Sequence, residues 1–227
     1  MKRSEIDAIL EESVRFFDSM SFRLPAFAAW SPATWQAQRR DCSSILEQKL
    51  GWDVTDFGTG DFAGHGLVLF TLRNGPIRNG PAPGALYAEK IMMVRPMQRT
   101  PMHFHWSKTE DLVNRGGGRL AIRVFQSSSD EGLSDAEVSL VLDGVTQRVE
   151  PGKTLVLEPG SSMTAPPQLY HSFWALDEAV LLGEVSTTND DVRDNRFLER
   201  SSRFPVILED APARHLLVSD YPRLESA

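Results

Sequence analysis

The chain has 227 residues, which fits one large β-rich domain or two small ones and is long enough to bury a core without disulfides. Its formal net charge of -7 argues against general binding to nucleic acid or to anionic membranes, because both favour a basic surface. The single cysteine, Cys42, excludes an intrachain disulfide, and we find neither a secretory signal nor an apolar run long enough to span a membrane. We therefore expect a cytoplasmic protein.

Helices are predicted over the first fifty residues. Ser4 is placed to cap the first helix, and Ser31-Pro32 marks the start of a second. Asp41 is placed to start a third helix, with Gly51 at its C-terminal cap. The apolar residues that repeat at helical spacing in the first helix are Ile6, Ile9, Leu10, Val14 and Phe17. Because no residue of this region has evident chemistry, we expect its apolar faces to pack on a sheet or on a second subunit.

Short apolar runs separated by turn residues replace the helical pattern from about residue 65 onward. The runs predicted as strands are 66–72, 85–95, 101–106, 120–126, 137–142, 146–150, 154–158, 162–165, 171–176 and 179–186. Asp143-Gly144 indicates a hairpin turn, and residues 76–84 and 127–135 are predicted as loops. Many short strands after a helical start predict a mainly β fold, a barrel or sandwich with the helices packed on it.

Two histidines on one predicted strand are the first sign of a metal site. His103 and His105 lie two residues apart, so both imidazoles point to the same face of the strand. Glu110 follows after a short turn and can return a carboxylate to that face. A fourth ligand must come from a distant strand, where His171 is suitable. Three imidazoles and one carboxylate suit Mn2+, Fe2+, Co2+, Ni2+ or Zn2+, so we predict a divalent metal site at these four residues.

The intervals around these histidines resemble the two motifs of the cupin superfamily. The matching residues are His103, His105, Glu110 and Gly117 in the first motif and Gly160, Pro166 and His171 in the second. Three positions depart from the motifs, because Met97 and Gln168 replace glycines and Ala175 replaces an asparagine. Those positions shape turns and do not bind metal, so the ligand assignment survives.

The cupin resemblance implies a jelly-roll β-barrel with the metal inside it. We expect a single domain, in which residues 1–60 form a helical N-terminal extension and residues 61–227 form the barrel and a C-terminal extension. The gap between the two motifs is longer than in minimal cupins, which implies an inserted hairpin near residues 127–150.

Several further segments resemble the D-lyxose isomerase family of cupins. They are residues 2–6, 87–91, 102–111, 183–191 and 194–197, so the resemblance covers nearly the whole chain. It implies a Mn2+-dependent enzyme that interconverts D-lyxose and D-xylulose, and often D-mannose and D-fructose. A homodimer is expected, since cupins often form one.

Isomerisation of an aldose to a ketose needs an acid and a base beside the metal. We assign these roles to Lys108 and Glu184, and then to Lys90, expecting that burial beside a cation lowers the pKa of a lysine. The candidates for contact with the sugar are Asp190, Asp191, Trp106 and Phe173. The alternative is that the charged residues are solvated and that the aromatic residues belong to the core or to an interface.

Three other functions fit the same ligand set. An iron-dependent dioxygenase uses similar ligands in other cupins, and a non-catalytic sugar-binding cupin keeps a metal without turnover. A sugar-phosphate isomerase would need a basic cluster near the metal motif, where we find only the scattered Arg95, Arg99 and Arg115.

Overall fold

The computed structural model describes residues 1–75 and 85–225, so the loop predicted at residues 76–84 lies outside the described residues. Its α-helices are α1 (Arg3–Ser19), α2 (Pro32–Gln38), α3 (Ser43–Gln48) and α4 (Tyr221–Glu225), with 3-10 turns at Ala26–Ala29 and Val218–Asp220. No helix in the described ranges is long and apolar enough to cross a membrane.

The helix boundaries confirm one predicted cap and correct three others. Ser31 caps α2 as predicted, because its side-chain oxygen accepts a hydrogen bond from the Thr34 backbone N–H at 3.2 Å. The helix α1 begins one residue before Ser4, whose hydroxyl instead donates to Asp210 at 2.7 Å. The N-cap of α3 is Cys42 rather than Asp41, and its C-cap is Lys49, in the left-handed region, rather than Gly51, which opens a strand.

Fourteen strands are present among the described residues. They are β1 (Gly51–Thr55), β2 (Leu67–Arg73), β3 (Tyr87–Val94), β4 (His103–His105), β5 (Glu110–Gly117), β6 (Leu120–Ser127), β7 (Leu133–Ser134), β8 (Val138–Leu142), β9 (Val145–Val149), β10 (Thr154–Leu157), β11 (Ser162–Ala165), β12 (Leu169–Ala175), β13 (Val180–Thr187) and β14 (Asn195–Phe197). All ten predicted strands are confirmed to within a few residues. Strands β1, β5, β7 and β14 were not predicted, and β1 lies inside the segment expected to be helical.

Two antiparallel sheets face each other and form the barrel. One has the order β1-β2-β3-β13-β5-β11-β8-β9, and the other has the order β10-β6-β12-β4-β14 with β7 paired to β6. The predicted turn at Asp143-Gly144 joins β8 to β9, and both residues have positive φ, as a tight hairpin requires. The fold is mainly β with helices at the N-terminus, as predicted.

Alternate residues of the first sheet face two different cores. On β3, Met92 and Val94 pack into the core between the sheets, whereas Ile91 and Met93 pack against α1 on the outer face. The ring of Phe17 from α1 stacks on Trp52 of β1 at 6.2 Å. This alternation decides which side chains reach the barrel interior, and it places Lys90, two residues before Met92, on the inner face.

Candidate metal centre and active site

Strands β4 and β12 bring three histidines together inside the barrel. His103 and His105 point to the same face of β4, and His171 on β12 lies directly opposite His103 in the strand register. The ring centroids of His103 and His171 are 4.4 Å apart, and those of His103 and His105 are 5.2 Å apart. One side-chain nitrogen of each histidine lies within 4.8 Å of the other two, so these three residues can hold a metal ion.

Backbone carbonyls orient two of the imidazoles. Nδ1 of His103 lies 2.8 Å from the Pro101 carbonyl, and Nδ1 of His171 lies 3.0 Å from the Leu169 carbonyl. With Nδ1–H donating to a carbonyl, Nε2 keeps its lone pair for a metal. Burial, followed by the neighbouring histidines, holds the pKa of His103 well below its usual range. A neutral imidazole is the form that binds metals.

Glu110 adds a carboxylate to the three histidines. Its Oε1 lies 2.8 Å from Nε2 of His171 and 3.4 Å from Nε2 of His105. Burial alone would raise the pKa of Glu110, but Lys108 and His105 hold it well below the usual range, so the carboxylate is ionised. Oε1 is buried and has no hydrogen bond of good geometry within the described part of the chain. An ionised oxygen in that state, beside the imidazole nitrogens of two histidines, fits a divalent cation.

Asp194 holds the turn that joins the two parts of the first motif. Its carboxylate accepts hydrogen bonds from the backbone N–H groups of Ser107 and Lys108, at 2.8 and 3.1 Å, and from the Ser107 hydroxyl at 2.7 Å. Asp194 is buried and lies 86 residues beyond Lys108 in the chain, after β13. The turn therefore depends on a side chain that the local sequence does not contain.

A row of buried charges extends from Glu110 along the inner face. Lys108 Nζ lies 2.6 Å from Glu110 Oε2 and 2.8 Å from Glu184 Oε1. Lys90 Nζ lies 3.3 Å from the same Glu184 oxygen and 3.8 Å from Asp191 Oδ1. Lys90 and Glu184 are direct partners in the register of β3 and β13, so strand pairing brings them together.

The electrostatics of Lys108 differ from the prediction. Burial lowers the pKa of Lys108, but the carboxylates of Glu110 and Glu184 outweigh burial and raise that pKa above its usual range. Burial raises the pKa of Glu184, but Lys108 and Lys90 outweigh it and lower the net value. The expected fall in lysine pKa is therefore wrong for Lys108, and the pair consists of a protonated amine and an ionised carboxylate.

The four candidate metal ligands line a cavity of about 50 Å³. Lys90, Lys108, Glu184 and Asp191 line the same cavity, and so does Phe173, which is also part of the core between the sheets. The remaining two predicted contacts lie outside the lining. Trp106 is 40% exposed and its ring packs edge-on against Phe104. Asp190 accepts hydrogen bonds from the backbone N–H groups of Val192 and Arg193.

Two residues that sequence reasoning missed contact the row of buried charges. Asn189 accepts a hydrogen bond from Lys90 Nζ at 2.8 Å, and Arg203 lies 3.3 Å from Asp191. Arg203 follows the last strand, in a segment without periodic pattern, so no sequence signal pointed to it.

The two motif departures at glycine positions keep the glycine conformation. Met97 has φ of 60° and Gln168 has φ of 63°, both in the left-handed region where a side chain is strained. The Gln168 backbone N–H donates to the His105 carbonyl at 2.8 Å. The turn at Gln168 therefore contacts the strand that carries His103 and His105 despite the substitution.

Together, the double-sheet barrel and its interior histidines define a cupin-type protein that can bind a metal ion. A sequence profile of the D-lyxose isomerase family matches residues 1–221. The chain is 49% identical to the D-lyxose/D-mannose isomerase of Escherichia coli O157:H7 over 226 residues, which cover 97% of this chain and 98% of that protein. It is 48% identical to the D-lyxose/D-mannose isomerase of Serratia proteamaculans over 227 residues, which cover 98% of this chain and 99% of that protein.

Among solved structures, the L-ribose isomerase of Cellulomonas parahominis superposes with a TM-score of 0.61. The match covers 92% of this chain and 98% of that chain at 18% identity, so it shows a shared fold and nothing finer. The profile and the two sequence relatives show that this chain belongs to the D-lyxose isomerase family and is a sugar isomerase. The dioxygenase and the non-catalytic binding protein are thereby set aside.

Proposed function

We propose that the protein is a Mn2+-dependent aldose–ketose isomerase that interconverts D-lyxose and D-xylulose, and also D-mannose and D-fructose. The observation that carries this proposal is the position of Lys108. Its amine contacts Glu110, which lies within reach of two histidines, and it also contacts Glu184. A metal-binding cluster and an acid–base pair thus share one cavity. The names of the two curated relatives support the choice of sugars.

Four residues would hold the metal: His103, His105, Glu110 and His171. Three nitrogens and one oxygen form a donor set that suits Mn2+ and also Co2+, Zn2+, Fe2+ and Ni2+; the family resemblance favours Mn2+. A bound divalent cation would polarise the sugar carbonyl and stabilise negative charge on the neighbouring oxygens.

Proton transfer is assigned to the two residues beside the ligands. Glu184 is ionised, so it can take the proton from C2 of the open-chain aldose and return it to C1 of the ketose. Lys108 is protonated and can donate a proton to the carbonyl oxygen O1 as the C2–H bond breaks. Its neutral amine can then take the proton from the hydroxyl group on C2 as C1 is protonated, which forms the ketose carbonyl and restores the charge of Lys108. Lys90 lies 3.3 Å from Glu184 and helps to keep that carboxylate ionised before substrate binds.

The remaining assignments concern the sugar and the assembly. Asp191 would accept a hydrogen bond from a sugar hydroxyl, and Phe173 would form an apolar wall of the cavity. Trp106 and Asp190 do not line the cavity, so the geometry does not support a contact of either residue with the sugar. We further propose a homodimer in the cytoplasm, which light scattering and cell fractionation would test.

Metal removal and replacement test the proposed activity. Protein treated with a chelator should lose turnover of D-lyxose and D-mannose, and Mn2+ should restore it more fully than Zn2+ or Ni2+. Formation of D-xylulose and D-fructose would be followed by chromatography, alongside metal analysis of the same samples. Full turnover in metal-free protein would contradict the proposal, and so would oxygen consumption with Fe2+ when neither ketose is formed.

A further inference from the structure

Arg203 enters the wall of the cavity from the segment that follows β14. Its side chain is 11% exposed, and its Nη2 lies 2.6 Å from Asp53 Oδ2 and 3.3 Å from Asp191 Oδ2. Its Nε donates a hydrogen bond to Asp191 Oδ1 at 3.4 Å. Two of the three guanidinium nitrogens are therefore occupied by carboxylates.

The third nitrogen, Nη1, is buried and has no hydrogen-bond partner among residues 1–75 and 85–225. A buried donor without an acceptor is destabilising, and such donors in folded proteins usually serve a ligand or an ordered group. Arg203 lines the same cavity as the metal-binding histidines. An oxygen atom of a molecule in that cavity would complete the hydrogen bonding of Nη1.

Arg203 lies at the far end of the row of buried charges. The row runs from Glu110 through Lys108, Glu184 and Lys90 to Asp191, and Arg203 pairs with the last of these. No ion pair or hydrogen bond in the described ranges joins Arg203 to a metal ligand. A linear sugar whose C1 and C2 lie at the metal end would extend C4 and C5 along this row.

The charges around Arg203 favour a neutral group over an anion. Asp53 and Asp191 flank the guanidinium, so its positive charge is already offset by two carboxylates. A phosphate ester here would face both carboxylates and would find no unpaired cation among the described residues that line the cavity. Arg95, Arg99 and Arg115 do not line the cavity, so they do not supply one. A hydroxyl group can instead accept from Nη1 and donate to Asp191 without adding charge.

We propose that Nη1 of Arg203 and the carboxylate of Asp191 form a subsite for the hydroxyl groups on C4 and C5 of the open-chain sugar, and that this subsite selects free sugars over sugar phosphates. The proposal rests on the proposed isomerase function. It assigns to Arg203 a role in binding the part of the substrate that does not react.

The substitution Arg203→Lys tests the subsite with little change of charge. Lysine can keep an ion pair with the two carboxylates but has no second terminal nitrogen to replace Nη1. With D-lyxose, kcat/KM should fall by about 10- to 100-fold, the range for a hydrogen bond to a charged group, and the fall should lie mainly in KM. Arg119→Lys is the matched control, because Arg119 pairs with Asp177 on the surface.

Deoxy sugars separate a binding role from a structural one. The effect of Arg203→Lys should disappear, or nearly so, with either 4-deoxy-D-lyxose or 5-deoxy-D-lyxose, because one of them lacks the hydroxyl that Nη1 contacts. An equal loss with D-lyxose and with both deoxy sugars would overturn the subsite. Tighter binding of D-xylulose 5-phosphate than of D-xylulose to the wild-type protein would overturn the selectivity.

Calorimetry with D-arabinitol, the polyol that corresponds to D-lyxose, keeps the test independent of turnover. The Mn2+-loaded wild-type protein should bind D-arabinitol more tightly than the Arg203→Lys variant, by about the same 10- to 100-fold. Equal affinities would overturn the subsite. If wild-type protein binds D-arabinitol but converts no aldose, the proposed activity fails while calorimetry still decides the role of Arg203.

Discussion

Replacing Glu184 with glutamine tests the proposed base most directly. Glutamine has nearly the same shape but carries no charge, so it cannot take a proton from C2 of the sugar. Loss of a general base lowers kcat by about 10²- to 10⁴-fold. Glu184 is not one of the four proposed metal ligands. We therefore expect the metal content of Glu184→Gln to match that of the wild type.

The contacts of Glu184 also set the expected loss of stability. Leaving a buried ion without its partner costs about 3–5 kcal/mol. In Glu184→Gln, Lys108 keeps Glu110 at 2.6 Å, and Lys90 keeps Asn189 at 2.8 Å and Asp191 at 3.8 Å. Because neither lysine is left alone, we expect the free energy of unfolding to fall by less than about 3 kcal/mol. A domain with a typical 5–15 kcal/mol of stability remains folded after such a loss.

Two measurements on the same samples check this prediction. Nuclear magnetic resonance in D2O follows the entry of deuterium into the sugar, which reports proton removal from carbon, and chromatography follows ketose formation. Both rates should fall together in Glu184→Gln. The matched control is Glu89→Gln, because Glu89 lies on the outer face of β3 and pairs with Arg73. Wild-type rates in Glu184→Gln with full metal content would refute the assignment of the base.

Three further predictions concern the metal, a turn and pH. His171→Ala should lose bound metal yet remain folded, whereas the control His65→Ala, at an exposed histidine, should keep its metal. Metal analysis measures the occupancy, and circular dichroism checks the fold. Full metal occupancy in His171→Ala would remove His171 from the ligand set. Gln168→Gly should stabilise the protein by under about 1 kcal/mol in urea unfolding, because the relief of left-handed backbone strain exceeds the cost of the added entropy of the unfolded chain. The control Gln147→Gly, in strand β9, should destabilise the protein. A loss of stability in both variants would contradict the reasoning. Burial raises the pKa of Asp191, but Arg203 and Lys90 outweigh it and leave the folded-state pKa below its usual range. That carboxylate therefore contributes stability above the unfolded-state pKa of about 4 and loses it as the pH falls through the folded-state value. The difference in unfolding free energy between wild type and Asp191→Asn should stay constant from pH 8 to 6 and narrow below about pH 4; a constant difference throughout would contradict this.

The strands that sequence patterns predicted share one property, an apolar run bounded by turn residues. Strand β12 is buried along its whole length and was recognised, although its start was placed two residues late. Strand β5 was missed because polar residues such as Asp111, Asn114 and Arg115 interrupt its pattern and three glycines follow. Strand β14 has only three residues, too few for a periodic signal.

The candidate ligands were predictable because alternation along one strand is a local property. His103 and His105 face the same way by the geometry of β4 alone, and the motif intervals selected Glu110 and His171. The charge of Lys108 was not predictable in the same way. Its pKa depends on Glu184, which lies 76 residues further along the chain and meets Lys108 only after β13 has paired with β5.

By itself, the amino-acid sequence determined the mainly β class, the helical N-terminus and the shared face of His103 and His105, because each depends on neighbours a few residues apart. The intervals of the cupin motifs added Glu110 and His171 as candidate ligands. The tertiary structure alone decided which acidic and basic side chains meet in the barrel, and it added Asp194, Asn189 and Arg203 to the site. Electrostatic interactions depend on distance in space, and the distance between residues far apart in the chain is set by strand register and by the path of the C-terminal segment.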